Sequence, residues 1–154
     1  MITEISVYLP NIPGQFSKVL VVLADEGVNI RGFSIDRTGA LSQLRLLPTD
    51  ATEAEKAKEA LVRYGYEPIS TELLLLSRPD TPEGLLSVTD VLAASNINVE
   101  YGYVVLGQTE TEEVLLVLKV EEGKTALALA CLAHRGITDY DRVDPATVPL
   151  PSAS

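Results

Sequence analysis

Apolar and polar residues alternate from the start of the chain. Ile5, Val7 and Leu9 fall on one side of a strand over Ile2–Leu9. The period then lengthens: Phe16, Val19, Leu20 and Leu23 stand at i, i+3, i+4 and i+7 and predict a helix over Gly14–Glu26. Val28–Asp36 reads as a second strand, Arg37-Thr38-Gly39 as a turn and Ala40–Leu47 as the returning strand. Thr52–Tyr64 reads as a second helix, with Ala54, Ala57, Leu61 and Tyr64 inward, Glu and Lys outward, and Gly65 as its stop. Tyr66–Ser70 is a short fourth strand.

The same string of elements then recurs. A shift of 69 residues pairs Pro13 with Pro82, Val19 with Val88, Val22 with Val91, Leu23 with Leu92, Ala24 with Ala93 and Asn29 with Asn98. Roughly one such identity over this stretch would arise by chance at average residue usage. Further on the shift grows to 71, so that Ala57 meets Ala128, Leu61 meets Leu132 and Gly65 meets Gly136; a hairpin turn in GQTETEE absorbs the two extra residues. The second copy therefore reads as strand Thr71–Ser77, helix Glu83–Ser95, strands Ile97–Leu106 and Glu113–Val120, helix Lys124–Arg135 and strand Ile137–Val143. The order βαββαβ, met twice, implies an α+β chain of two tandem ferredoxin-like units, each with its helices on one face of an antiparallel sheet. The units are expected over residues 1–70 and 71–143, followed by a Pro-rich tail over 144–154. Ser70-Thr71-Glu72 leaves no room for a linker, so one rigid body, even a continuous sheet, is expected.

Composition narrows the function. A net charge of −10 repels phosphate backbones and anionic lipid, which disfavours nucleic acid and membrane as partners. No run of 18 apolar residues occurs, and MITEISVYLP lacks the basic start and apolar core of a secretion signal. A single cysteine, Cys131, excludes an internal disulfide and fits a reducing cytoplasm. Cys131 and His134 lie three apart in a helix, but two ligands do not fill a metal site and no second His exists, so neither catalysis nor a metal or other cofactor is expected. The run ALALACLA is apolar on nearly every side, which favours a subunit contact on that helix. Tyr101 and Tyr103 share a strand face and suit packing better than a pocket; Gly102 between them suits a close approach.

The chemistry concentrates in LPNIPGQFSKVLVVLADEGVNI. Pro13 suits the first turn of a helix, where a missing N–H costs nothing. Gly14 has no side chain to keep a ligand from the backbone. The free amides of Gly14, Gln15 and Phe16 would face an anion such as a small carboxylate. Asn11 and Asn29, at the two ends of this helix, each offer a donor and an acceptor and so match a zwitterion. The helix holds them roughly 20 Å apart at 1.5 Å per residue, so they can share a ligand only where two copies meet. Either Asn also suits a plain cap or turn.

The sequence N-x-P-G-x-F followed by a helix and G-V-N-I resembles the ACT domain, a small regulatory module that binds amino acids, and both copies fit the pattern over about Ile2–Val143. The resemblance is nearest to small stand-alone tandem ACT proteins, in which a Pro-rich loop and a strand like Ile97–Tyr103 recur. It implies ligand contacts at Asn11, Ile12, Pro13, Gly14, Gln15, Phe16, Asn29 and Ile30, with Asp80, Asn98 and Val99 as their counterparts in the second copy. Two departures matter. The second loop carries Asp80 and Glu83, which would satisfy the helix amides and repel an anion. Leu9 stands where serine-sensing relatives carry a His, which points to a more apolar pocket. The expectation is a non-catalytic amino-acid-binding regulatory protein, a homodimer or larger, coupled to a metabolic enzyme. Two readings keep the fold and change the role: a constitutive subunit like the small subunit of acetolactate synthase, and a purely structural scaffold. A catalytic or RNA-binding ferredoxin-like protein would need an Arg-bearing phosphate loop, paired cysteines or a basic aromatic sheet, and the chain has none of these.

Overall fold

The computed structural model of the chain describes residues 1–106 and 113–140. The chain divides into two units, one spanning Ile2–Glu72 and the other beginning at Leu73 and including Met1.

In the first unit β1 (Ile2–Pro10) pairs antiparallel with β3 (Leu41–Pro48), and β3 pairs antiparallel with β2 (Ile30–Thr38). Helices α1 (Gln15–Asp25) and α2 (Ala51–Arg63) supply the other half of the core. Ile5, Val7, Leu9, Leu44 and Leu46 meet Val19, Val22 and Leu23 of α1 and Ala54, Ala57, Ala60 and Leu61 of α2. The alternation of β1 thus sets its core face as expected, and each buried Leu or Ile contributes about 1.5–3 kcal/mol. Asp50 caps α2 by accepting from the Glu53 amide at 2.9 Å. Two side chains depart from the expected stripes. Leu20 and Tyr64 are exposed, because α1 turns Val22 inward instead and the inner stripe of α2 closes on Ala60, with Tyr64 already its C-cap.

On the sheet face away from the helices, Glu4 and Ser6 of β1 are also buried. Arg45 of β3, opposite Ser6, lies 4.0 Å from Glu4, pairs with Asp36 of β2 and donates to Gln43 at 2.7 Å.

In the second unit β4 (Ile69–Pro79), whose first four residues still belong to the first unit, pairs antiparallel through Leu74–Pro79 with β6 (Glu113–Val120), and β6 with β5 (Val99–Leu106). Helices α3 (Pro82–Ala94) and α4 (Thr125–His134) cover Leu74, Leu76, Leu116, Leu118 and Val120 with Val88, Leu92, Ala128 and Leu132. Each unit therefore has the ferredoxin-like arrangement anticipated from the element order. The expected strands Tyr66–Ser70 and Thr71–Ser77 are one strand, β4, since nothing between Ser70 and Glu72 turns the chain. Of the expected strand Ile137–Val143, the described part forms a single antiparallel bridge between Leu76 and Asp139. Its remainder, most of the hairpin turn in GQTETEE and the Pro-rich tail lie outside the described residues. Gly102 serves the close approach expected of it: a Cβ there would stand 2.5 Å from Leu118 Cδ2 and 2.9 Å from the Val117 carbonyl oxygen.

Candidate ligand-binding site

The first mouth is built by the chain leaving β1. The Asn11 amide donates to the Ala40 carbonyl at 3.1 Å, and the Ile12 amide to the Pro10 carbonyl at 2.8 Å. The Asn11 side-chain carbonyl accepts from the hydroxyl of Ser42, a buried residue of β3, at 3.1 Å. Gly14 has φ 87° and ψ −11°, the third residue of a type II turn with Pro13 as its second. Pro13 therefore shapes the turn before α1 rather than opening the helix as anticipated. Gly14 becomes the N-cap, and no side chain caps α1. With Gly14 as N-cap the amides of the first turn run from Gly14 to Ser17, the expected Gly14, Gln15 and Phe16 among them, and no side chain caps them. Ile12 is exposed, and Phe16 rests against Phe33 of β2 with ring centroids 5.2 Å apart, so the mouth has an apolar wall.

Asn29, exposed, is held by its backbone. Its amide donates to Glu53 Oε2 at 2.7 Å, and its carbonyl accepts from the Thr49 amide at 3.2 Å. Neither bond uses its carboxamide. Asn11 is tied to Ala40 just before β3 and Asn29 to Thr49 just after it. At about 3.3 Å per extended residue that is roughly 30 Å. The structure thus does not bring the two Asn together within one unit. Ile30, half-buried beside Asn29, packs on the first core.

The second unit repeats the device at Asn98, whose amide donates to Glu121 Oε1 at 3.2 Å and whose carbonyl accepts from the Glu121 amide at 3.1 Å; Val99 packs on the second core. Its mouth differs. Thr81 caps α3, accepting from the Gly84 amide at 3.2 Å, and Pro82 opens the helix. The amide expected to be satisfied by Asp80 or Glu83 is thus held by Thr81, while Glu83 lies in the first helical turn, where its charge suits the dipole, and Asp80 is exposed.

Sequence reasoning missed Ser42 and Phe33. A signal existed for Ser42: it breaks the inward row that Leu44 and Leu46 continue. Phe33 carried none, since its contact with Phe16 joins two elements. Among the described residues two clefts stand out elsewhere. One of about 650 Å³ is bordered by Tyr8, Val62, Tyr66 and Ile69; the other, of about 530 Å³, lies between α3 and α4 beside Val91, Cys131 and His134. Neither includes Asn11 or Asn29. Among the described residues no three His, Cys, Asp or Glu groups gather as for a metal, and no helix is long and apolar enough to cross a membrane.

No curated protein sequence matches the chain. Among solved structures it is similar to a protein from Bacteroides thetaiotaomicron, at 23% identity and TM-score 0.78 over 89% of this chain and 90% of that one. It is also similar to the regulatory subunit of aspartate kinase from Thermus thermophilus, at 19% identity and TM-score 0.62 over 86% and 91%. The corresponding subunit from Thermus flavus gives 20% identity and TM-score 0.61 over 86% and 90%. These likenesses establish the shared fold. Residues 3–65, which lie within the first unit, match the family model of the ACT domain, so the chain carries an ACT domain there.

Proposed function

We propose that the protein is a non-catalytic amino-acid sensor that regulates a partner enzyme of amino-acid metabolism in the cytoplasm. The observation that carries this reading is the mouth of α1, which no side chain caps, beside the exposed Asn11. A ligand carboxylate fits there, because orphan amides and the helix dipole both favour an anion. Asn29 lies about one strand length away, so the ligand ammonium is met by Asn29 of a second subunit, and the working form is a homodimer or larger. Phe16 and Phe33 favour an apolar amino acid, while Leu9, expected to shape the pocket, packs into the core instead. The fold shared with two aspartate kinase regulatory subunits supports a role beside an enzyme rather than as one. Asp80 and Asn98 form the weaker counterpart, behind a mouth that Thr81 already caps.

The test is calorimetry with all twenty amino acids up to millimolar concentration. One or a few apolar amino acids are expected to bind. Asn11→Ala and Asn29→Ala are each expected to weaken binding by about tenfold, the worth of one hydrogen bond to a charged group. Absence of binding by every amino acid would leave the fold as a scaffold.

A further inference from the structure

We propose that Ser42 is a positioning residue: it fixes the Asn11 carboxamide so that its NH2, not its carbonyl, faces the ligand. This rests on the amino-acid-binding reading and adds which part of the ligand Asn11 reads, namely the carboxylate.

Ser42 sits on β3 opposite Leu9, in the row that Leu44 and Leu46 continue into the core. It is only 7% exposed, and a buried hydroxyl needs a partner. That partner is Asn11 Oδ1, at 3.1 Å. A carboxamide is planar, with two acceptor sites on its oxygen and two donors on its nitrogen. Once the oxygen is turned to Ser42, the NH2 group is turned away from β3. The Asn11 amide is meanwhile tied to the Ala40 carbonyl, so both its backbone and its side chain are fixed before any ligand arrives.

The second unit supplies the contrast. Pro10 stands opposite Leu41 and Leu9 opposite Ser42; in the same register Pro79 stands opposite Glu113 and Arg78 opposite Val114. The counterpart of the Asn11–Ser42 pair is therefore Asp80 with Val114, which has neither the amide donor nor the hydroxyl. The same unit has its helix mouth capped by Thr81. Open amides and an oriented amide donor occur together in the first unit, and both are replaced in the second. A carboxylate has two oxygens and accepts only, so the α1 amides and the Asn11 NH2 suit its two ends.

The test compares L-valine, L-leucine, L-isoleucine and L-phenylalanine with their α-carboxamides by calorimetry. The wild type is expected to prefer the free acid by at least about tenfold, one charge-assisted hydrogen bond. In Ser42→Ala the carboxamide can turn over and offer its carbonyl, so that preference is expected to fall about fivefold, with the loss on the acid side. Ser42→Thr, which keeps the hydroxyl, is expected to restore it. Asn11→Asp still accepts from Ser42 and is expected to melt within a few degrees of wild type, yet to lose the free acid by more than about tenfold, because the donor is gone and a like charge has come. An unchanged acid-to-amide ratio in Ser42→Ala overturns the role of Ser42 while leaving amino-acid sensing intact. Should Ser42→Ala fail to fold, unimpaired acid binding by Asn11→Asp overturns it instead. If the wild type binds no amino acid, the sensing reading fails and this inference falls with it.

Discussion

Glu4 shows what one residue's setting demands. Its side chain is 1% exposed, and Arg45, itself 12% exposed, is the cation beside it. Two desolvated charges are tolerated as a pair and costly singly. Arg45→Met is therefore expected to lower unfolding free energy by about 3 kcal/mol in urea denaturation, by leaving the Glu4 carboxylate without that cation. Adding Glu4→Leu to Arg45→Met is expected to recover most of the loss, since an apolar pair of similar volume often replaces a buried ion pair without penalty. A double variant no better than the single one would show that Glu4 is stabilised by other groups. Alternation in the sequence places Glu4 correctly, on the face opposite Ile5 and Val7. It does not tell that this face is buried, because a period of two assigns a side and not what covers it. Asn11 and Asn29 were legible as exposed amides at the ends of α1, from the turn residues around them. The Asn11–Ser42 contact was not, being between residues 31 apart whose meeting depends on strand register.

At the scale of elements, most boundaries were legible because chemistry marks them. Gly65 and Gly136 have φ 85° and 73°, and the amides of Tyr66 and Ile137 reach back to the Leu61 and Leu132 carbonyls at 3.0 and 2.9 Å, the glycine-based helix stop the sequence advertised. The start of α1 was misjudged by one residue, since Pro-Gly serves a helix's first turn and a type II turn equally well. The chosen outcome decides the chemistry of the mouth: Gly14 caps with no side chain, whereas Thr81 caps α3 with one. Thr81→Ala is accordingly expected to cost about 1 kcal/mol of stability. Gly102→Ala is expected to cost more, about 1–3 kcal/mol, because the new methyl meets the β6 backbone as well as Leu118 and the strand pair must shift. Denaturant midpoints of the two variants, compared at equal slope, check both the size and the order. Equal midpoints for Gly102→Ala and wild type would mean that β5 yields without strain.

At the scale of the whole chain, duplication fixes the plan and divergence assigns the work. Position 27 and its counterpart 96 both adopt a left-handed backbone, at φ 63° and 53°, although one is Gly and the other Asn. The amides that follow, Val28 and Ile97, each bond back to Leu23 and Leu92 at 2.9 Å. The two copies thus keep the same helix exits, while their helix entries have separated into one open mouth and one capped by a threonine. If only the open mouth accepts a carboxylate, binding is expected to saturate at one amino acid per chain. Asn98→Ala is then expected to leave affinity within about twofold, while Asn29→Ala costs about tenfold. Thermal stability gives a second measure. A ligand at a hundred times its dissociation constant adds about 2.7 kcal/mol to the state that binds it, so wild type and Asn98→Ala should gain equally from the ligand while Asn11→Ala gains less. Two bound amino acids per chain, or equal losses from Asn29→Ala and Asn98→Ala, would mean that the threonine cap opens to admit a ligand and that the copies still work as equals.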